Sequence, residues 1–340
     1  MALKFDAAAY SFRKTCPYVT KDLLRWFPGH MNKGLKQIQR KLKSVDCVIE
    51  VHDARIPFSG RNPIFTSTIT GAKPHILVLN KKDLAIKSLV PRIKDQLTAE
   101  DGVKNVVFTN SKDQLCRGLK ILKPLLIDLI KDSNRYNRSE EQDYNVLIIG
   151  VPNVGKSSLI NMLRSKNTHQ KHALQVGAVA GVTKSMHTKI RINSNPHIFM
   201  FDTPGILEPS VTNVEMGLKL ALCASLQDHL VGEEIIADYL LYWLNAHENF
   251  KYVDYMGLEE PTDDINRVLI AGSAKFNRIR RVRDYDGRMR DVPDLIETAR
   301  TMIRGFRTGE LGKTLLDIHL LKEKGKESLQ SHPQTHEHAN

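Results

Sequence analysis

Gly150-Val-Pro-Asn-Val-Gly-Lys-Ser-Ser158 is the most informative stretch of this 340-residue chain. It matches the pattern GxxxxGK[ST], in which glycines permit a tight turn and backbone N–H groups surround phosphate oxygens. The apolar run Val146–Ile149 precedes the stretch, and the apolar Leu159–Leu163 follows it. A strand, this loop and a helix in succession predict a nucleoside-phosphate site at a helix N-terminus.

Each residue of this phosphate loop has an expected role. Lys156 would reach the β and γ oxygens of the phosphates, and Ser157 would ligate Mg²⁺, which makes Mg²⁺ the expected cofactor. The residues predicted to contact the nucleotide here are Asn153, Val154, Gly155, Lys156, Ser157 and Ser158.

A second element predicts which base is bound. Asn80-Lys-Lys-Asp83 follows the apolar run Ile76–Leu79 and matches the guanine-recognition pattern NKxD. The carboxylate of Asp83 can accept from the N1–H and the exocyclic amine of guanine, whereas adenine offers no such pair, and an unpaired buried carboxylate costs about 1–3 kcal/mol or more. The predicted base-binding residues are Asn80, Lys81, Lys82 and Asp83, with Ser111 in the loop after the apolar run Val103–Phe108.

Two further elements complete the pattern of a GTP-hydrolysing site. Asp202-Thr-Pro-Gly205 follows the apolar run His197–Phe201. Asp202 would hold Mg²⁺ through water, and the Gly205 N–H would contact the γ-phosphate. Thr183 lies between this element and the phosphate loop, where a switch threonine that senses both Mg²⁺ and γ-phosphate is expected.

The order of these elements is unusual. In an ordinary GTPase the phosphate loop comes first, but here the guanine-reading elements precede the phosphate loop and both switch elements. Apolar runs of strand length alternate with amphipathic stretches, which predicts a mostly parallel sheet with helices. The expected fold is therefore α/β, with a circularly permuted P-loop GTPase domain over residues 26–209 followed by a small all-α domain over residues 210–320.

The second half of the chain differs from the first in charge and in pattern. Residues 1–214 carry 33 Lys and Arg against 17 Asp and Glu, whereas residues 215–340 carry 17 against 21. The basic excess favours a partner rich in phosphates, and a solvated surface with a targeting segment is the alternative. Helical spacing after Pro209 predicts the all-α domain, including a helix within Asp263–Arg281, and residues 321–340 are expected to be a disordered tail.

The first 25 residues form a basic segment. They hold five Lys and Arg against two Asp, interleaved with apolar residues. This composition resembles a short mitochondrial presequence, and a basic arm on a ribosome-binding protein is the alternative. No apolar run of the chain approaches the roughly 20 residues that span a bilayer, so a transmembrane protein is not expected.

The route of hydrolysis is less standard than the binding site. Ile206 stands where small GTPases place a Gln that orients the attacking water, so intrinsic hydrolysis is expected to be slow, on the order of 10⁻⁴ per second or below. Asn153 could ligate a K⁺ ion that bridges the phosphates and replaces an arginine finger. A partner could also align the water, and His30 is an internal candidate. The predicted catalytic residues are Asn153, Lys156, Thr183, Gly205 and His30.

These motifs together resemble the circularly permuted ribosome-assembly GTPases of the YlqF or RbgA type. The resemblance extends over most of the chain through Trp26-Phe-Pro-Gly-His-Met31, Asp53-Ala-Arg-Ile-Pro57, Arg61-Asn-Pro63 and Phe306-Arg-Thr-Gly-Glu-Leu-Gly312. It implies a role in maturation of the large ribosomal subunit, GTPase activity stimulated by that particle, and a helical domain that contacts rRNA. One departure is Ala180, where a Pro commonly precedes the Gly-Val-Thr element.

Within that family the chain is most similar to a mitochondrial member. This implies a protein peripheral to the matrix face of the mitochondrial inner membrane, with GTP or GDP and the mitochondrial large ribosomal subunit as partners. The acidic charge of the second half fits rRNA poorly, but its basic run over Lys275–Arg290 forms a cluster, for which a solvated face is the alternative. Two other functions stay open, a signalling or transport GTPase with a protein partner and a module that binds GTP without hydrolysing it.

Overall fold

The structure is a computed structural model that describes residues 5–6, 8, 10–16, 42–61, 73–133, 135, 138, 140–165, 189–203 and 213–322. Three residues predicted to act in hydrolysis lie outside this set: His30, Thr183 and Gly205. The predicted disordered tail lies almost wholly outside it as well.

A six-stranded sheet forms the centre of the α/β domain. Its strands are β1 Cys47–Asp53, β2 His75–Asn80, β3 Val106–Phe108, β4 Tyr144–Ile149, β5 Lys189–Ser194 and β6 His197–Phe201. They lie in the order β3-β2-β1-β4-β6-β5, and every neighbouring pair is parallel except β5 with β6. All seven residues of β1 are buried, as expected for a central strand covered on both faces. The predicted mostly parallel sheet is confirmed.

Three helices of the α/β domain follow strands β2, β3 and β4. They are α1 Val90–Asp101, α2 Arg117–Lys131 and α3 Lys156–Ser165. Helix α2 buries Leu119, Leu122, Leu126 and Ile130, which recur at helical spacing and so share one face. That face packs into the apolar core with strands β1 and β4.

The described residues after 212 form the helical domain. Its helices are α4 Val214–Leu222, α5 Asp228–Val231, α6 Glu233–Ala246, α7 Lys251–Met256, α8 Ile265–Lys275 and α9 Leu295–Thr308. Apolar residues of this domain, such as Leu218 and Leu222, belong to the same core as Val151 and Val154 of the α/β domain. None of the described helices combines the length and the apolar composition that crossing a bilayer requires.

One element differs from the predicted all-α domain. Strands β7 Ile279–Arg283 and β8 Met289–Pro293 form an antiparallel hairpin, so the helix predicted within Asp263–Arg281 stops at Lys275. The chain leaves the helix through Asn277, whose φ is 51°, and turns the hairpin at Gly287, whose φ is 76°. An Asp-Gly pair between two stretches of alternating apolar and polar residues predicts a hairpin, because glycine adopts positive φ without strain.

The N-terminal segment and the last described residues both pack on the domains between them. Phe12 lies against Phe250, and Arg13 pairs with Asp238 at 2.8 Å and with Asp263 at 3.0 Å. At the other end, Leu315 and Leu321 pack beside Leu77, Leu79 and Ala85 of the α/β domain. The N-terminal segment thus packs on the helical domain, and the last described residues connect the chain after α9 back to the α/β domain.

Candidate nucleotide site

The phosphate loop connects β4 to α3 and passes close to two other strands. A Cβ atom on Gly150 would lie 2.1 Å from the Val51 carbonyl oxygen, and one on Gly155 would lie 2.3 Å from Asn80 Nδ2. Both glycines also have positive φ, 146° and 100°, which side chains rarely tolerate. The loop therefore needs glycine at both positions, and α3 begins directly after it with its N–H groups unpaired and suited to phosphate.

Lys156 lies inside the curve of the phosphate loop. Its Nζ donates to the carbonyl oxygens of Gly150 at 3.0 Å and Val151 at 2.9 Å. Burial lowers the pKa of Lys156 to about 8, although the nearby charge of Asp202 acts in the opposite direction. A phosphate placed at this loop would restore the charged form, because an adjacent anion favours the ammonium.

Ser157 in the first turn of α3 and Asp202 directly after β6 come together. The Ser157 hydroxyl donates to Asp202 Oδ2 at 2.7 Å, while Asp202 Oδ1 is buried without a hydrogen-bond partner among the described residues. Burial raises the pKa of Asp202, which the Ser157 hydrogen bond and Lys156 partly offset. A hydroxyl and a carboxylate are the oxygen donors that Mg²⁺ prefers, and a cation would relieve the buried carboxylate. The residues present therefore fit the expected Mg²⁺.

Asn80 ties the base-reading loops to the phosphate loop. It is only 3% exposed, and its Nδ2 donates to the Val154 carbonyl oxygen at 2.8 Å. Its Oδ1 accepts from Thr109 Oγ1 at 3.1 Å, and from the N–H of Ser111 at 3.1 Å and its hydroxyl at 3.0 Å. One side chain thus fixes three loops at the carboxyl edge of the sheet. Asp83, the predicted guanine ligand, lies at the same edge with an exposed side chain.

Lys81 contacts a buried ion pair, Asp53 with Arg55, that no sequence motif assigned to the nucleotide site. Its Nζ lies 3.0 Å from Asp53 Oδ2, and Asp53 also accepts two hydrogen bonds from the Arg55 guanidinium, at 2.9 and 2.8 Å. Burial alone would raise the pKa of Asp53, but the charges of Arg55 and Lys81 hold it well below its usual range. Arg55 in turn covers the ring of Phe306 in α9, 4.8 Å from its centroid. The base-reading loop therefore contacts the helical domain through two residues.

The phosphate loop is also bonded directly to the helical domain. Asn153 has a φ of 57°, and its Nδ2 donates to the Ala224 carbonyl oxygen at 2.8 Å. Beside it, the Ser225 hydroxyl donates to the Pro152 carbonyl oxygen at 3.1 Å. Ala224 and Ser225 follow α4, the first described helix after the second switch element. Movement of the phosphate loop would therefore shift the residues that directly follow α4.

A second junction joins α4 to the loop after β1. Asp317 is fully buried and accepts from the N–H groups of Phe58 at 3.0 Å and Ser59 at 2.9 Å. Lys219 of α4, itself 3% exposed, places its Nζ 3.5 Å from Asp317 Oδ1. These donors satisfy the carboxylate, whose burial without hydrogen bonds would be costly. Helix α4 is thus held at Lys219 by Asp317 and just beyond its C-terminal end by the phosphate loop.

Most of the predicted binding residues within the described part of the chain meet at one edge of the sheet. The residues found there are Asn80, Lys81, Lys82, Asp83, Ser111, Asn153, Val154, Gly155, Lys156, Ser157, Ser158 and Asp202. Their convergence follows from topology, because the carboxyl ends of parallel strands lie at the same edge. The predicted roles of Thr183, Gly205 and His30 concern residues that the structure does not describe.

The topology and the site together define a class of protein. The phosphate loop follows the fourth strand in sequence, the loop with the guanine-recognition pattern follows the second, and Asp202, the expected Mg²⁺ ligand, follows the sixth. All three meet at one edge, as in a P-loop GTPase, although their order along the chain is rotated. The protein is therefore a circularly permuted P-loop GTPase.

Comparison with known proteins gives the family. Residues 145–267 match the family described as 50S ribosome-binding GTPase. The chain is 58% identical to Mitochondrial GTPase 1 of Aedes aegypti, over 90% of this chain and 98% of that protein. It is 48% identical to Mitochondrial ribosome-associated GTPase 1 of Mus musculus, over 93% and 97%. With Ribosome biogenesis GTPase A of Bacillus cereus the identity is 32%, over 86% and 92%.

The chain therefore belongs to the family of GTP hydrolases that includes mitochondrial GTPase 1 and ribosome biogenesis GTPase A. A solved structure agrees with the fold. GNP-bound YlqF from T. maritima covers 83% of this chain and 97% of its own with a TM-score of 0.53 at 22% sequence identity. The predicted family, permuted fold and GTPase activity are confirmed.

Proposed function

We propose that this protein is a GTP-hydrolysing switch that acts in assembly of the mitochondrial large ribosomal subunit, and hence in mitochondrial translation. The names of its relatives, which include a mitochondrial ribosome-associated GTPase and a ribosome biogenesis GTPase, support the setting. The observation that carries the switching role is the bond from Asn153 of the phosphate loop to Ala224 of the helical domain. Nucleotide state and the position of a ribosome-facing domain can be coupled through it.

The binding chemistry follows from the residues at the sheet edge. Ser157 and Asp202 would hold Mg²⁺, which would neutralise negative charge that develops on the phosphates. Lys156 places its ammonium within the phosphate loop, where it would pair with the same phosphates. The exposed carboxylate of Asp83 would accept from guanine, and the contact of Lys81 with Asp53 holds the loop that carries it.

Hydrolysis would need a further group, beyond these residues, to orient the attacking water. Ile206 has no group that can orient water, so turnover without a partner is slow and the particle supplies the stimulation. The Nδ2 of Asn153 donates to Ala224, and its Oδ1 is the atom that would bind K⁺, because a cation is ligated by oxygen and not by an amide N–H. Thr183, Gly205 and His30 retain the roles expected from their positions in the sequence.

The helical domain would report the nucleotide state to the ribosome. The chain runs from Asp202 through the second switch element directly into α4, whose Lys219 contacts the buried Asp317. Ordering of the switch by γ-phosphate would therefore act on α4 without an intervening domain. We place the protein in mitochondria, peripheral to the matrix face of the inner membrane, with the large subunit as its partner.

Co-sedimentation with purified mitochondrial large subunits tests this proposal. Binding with a non-hydrolysable GTP analogue should exceed binding with GDP by roughly 5-fold or more, the lower end of usual coupling free energies. Ser225→Ala removes one bond between the domains and touches no expected ligand atom, so it should reduce that ratio. Equal binding in both nucleotide states, or no binding at all, would contradict the proposal.

A further inference from the structure

The hairpin of strands β7 and β8 is the most exposed element of the helical domain. Nine of its ten strand residues have exposed side chains, and the exception, Val292, is half-buried. At the turn Tyr285 is fully exposed, and Met289 beside it is 61% exposed. An isolated two-stranded hairpin is marginally stable in water, so this one depends on its anchors.

The base of the hairpin is anchored to the helices on either side. The Ser273 hydroxyl in α8 donates to the Arg278 carbonyl oxygen at 2.6 Å, and the Asp294 N–H donates to the same oxygen at 2.9 Å. Asp294 then caps α9, since its side chain accepts from the Glu297 N–H. The hairpin thus projects in a defined direction from a fixed base, with about 17 Å of paired strand at ~3.4 Å per residue.

Positive charge is concentrated on this element. Between residues 275 and 293, seven Lys and Arg stand against three Asp, a net charge of +4. The rest of residues 215–340 carries 10 basic against 18 acidic residues, a net charge of −8. A local cationic patch on an otherwise acidic domain predicts a specific polyanionic partner better than overall charge does.

Three arginines of the hairpin have no carboxylate partner within the described part of the protein, and one of them, Arg283, donates to the Gly287 carbonyl oxygen at 3.3 Å. Arg281 pairs with Asp291 at 3.2 Å, and Arg290 pairs with Asp284 at 2.7 Å. The guanidinium groups of Arg280 and Arg288 have no carboxylate partner among the described residues. They are available to an external anion.

Both faces of the ribbon carry cations and apolar side chains. The register pairs Arg280 with Val292 and Val282 with Arg290, so those residues share one face, while Arg283 and Met289 lie together on the other. An element that lies in a membrane surface needs its apolar residues on one face and its charges on the opposite one. This ribbon lacks that separation, which favours a partner that surrounds it, such as the groove or loop of a nucleic acid.

We propose that the β7–β8 hairpin is an RNA-binding element, with Arg280 and Arg288 contacting phosphates and the Tyr285 ring stacking on an unpaired base. The proposal rests on the ribosomal role proposed above and assigns its RNA contact to this hairpin. Arginine suits phosphate because its planar group donates two parallel hydrogen bonds. Single-stranded loops expose bases that aromatic side chains can stack on, which is how most sequence-specific RNA contacts are made.

The test measures binding of the full-length protein to a fluorescein-labelled RNA stem–loop of about 20 nucleotides. Reversing both charges in Arg280→Glu/Arg288→Glu should weaken binding at least ~10-fold near 100 mM salt and reduce the log–log salt slope by about 1–2. Arg267→Glu/Arg304→Glu is the matched control, since it makes the same charge change at exposed positions of α8 and α9. It should bind within about twofold of the wild type, because only cations at the contact alter affinity strongly.

The aromatic contact is tested separately. Tyr285→Ala should weaken binding to the stem–loop by about 5-fold or more, the lower end for loss of one stacked ring. Tyr285→Phe keeps the ring and should bind like the wild type. Thermal unfolding of all four variants should match the wild type, because the altered side chains are exposed and substitutions there change stability little.

The outcomes separate this inference from the ribosomal role. If large subunits stimulate GTP turnover but Arg280→Glu/Arg288→Glu binds RNA and particles like the wild type, the hairpin proposal is wrong and the ribosomal role stands. If the stem–loop binds through the hairpin but particles neither bind nor stimulate, the ribosomal role fails instead. Hairpin-dependent binding to vesicles of phosphatidylcholine and phosphatidylglycerol, or to particles stripped of RNA, without stem–loop binding would also overturn the proposal.

Discussion

Replacing Asn80 with alanine tests whether this residue contacts the nucleotide or connects the loops of the site. The pattern NKxD suggests a residue that faces the nucleotide, whereas the structure places Asn80 between the loops, only 3% exposed. Its amide donates to Val154 and accepts from Thr109 and Ser111. On this view Asn80→Ala acts first on the stability of the folded protein and only then on nucleotide affinity.

The size of the effect follows from the groups left without partners. Asn80→Ala leaves the buried Val154 carbonyl and the Ser111 N–H without their hydrogen-bond partner. Each buried unsatisfied polar group costs about 1–3 kcal/mol, so the free energy of unfolding should fall by about 2–6 kcal/mol. The hydroxyls of Thr109 and Ser111 can rotate to other acceptors and add little.

Urea unfolding of the nucleotide-free protein measures this loss, and fluorescent GDP titration measures affinity alongside it. Thr109→Val is the matched control, because it removes one donor but leaves Asn80 with its other bonds, and should cost about 1 kcal/mol or less. If Asn80→Ala unfolds like the wild type but binds GDP far more weakly, Asn80 is a direct nucleotide ligand. That result would refute its assignment as the tie between loops.

Three other predictions concern the nucleotide and its ions. Asp83→Asn should weaken GTP binding and shift preference towards xanthosine triphosphate in a competition assay, and an unchanged preference would remove Asp83 from the base site. Because burial lowers the pKa of Lys156 to about 8, the free protein loses this positive charge as pH rises through 8. GDP affinity should therefore fall about fourfold between roughly pH 7 and pH 8.5, while Lys156→Arg, whose side chain stays charged, should show a flat profile. Turnover should be faster in K⁺ than in Na⁺, and Asn153→Ala should abolish that difference; a difference retained in the variant would place the K⁺ ligand elsewhere.

The sequence predicted that the nucleotide-binding motifs meet at one edge of the sheet because chemistry restricts the choice of residues in them. Gly150, Gly155 and Lys156 must occur together for a backbone loop to surround phosphate, so the pattern implies the geometry. The carboxyl ends of parallel strands then bring Asp83 and Asp202 to the same edge, even though they lie far apart in sequence. The circular permutation could be predicted because it depends only on the order of the motifs along the chain.

Contacts between domains could not be predicted in the same way. The contact of Arg55 with the Phe306 ring and the bond from Asn153 to Ala224 depend on how the helical domain packs, which no local pattern encodes. A weak signal existed for Asp53, since a carboxylate at the end of a mostly apolar stretch needs a partner when it is buried. Asp317 gave no such signal, because its donors, which include two backbone N–H groups and the Nζ of Lys219, come from residues far away in sequence.

The hairpin of β7 and β8 was missed for a different reason. The apolar spacing of α8 predicts a helix that continues through Arg281, because helix and strand periodicity are hard to separate in short stretches. The turn at Asp286-Gly287 is the local signal that favours a hairpin, and the alternation of arginine with Ile279 and Val282 agrees with it. Tertiary burial could not help, because the element buries little.

GTP turnover with and without purified mitochondrial large ribosomal subunits tests the central claim most directly. Alone, the protein should hydrolyse GTP slowly, on the order of 10⁻⁴ per second or below, because Ile206 cannot orient water. Large subunits should raise this rate by roughly 10-fold or more, while equal amounts of small subunits leave it unchanged. A rate indifferent to large subunits would contradict a switch that acts on that particle and would direct the search to a protein activator.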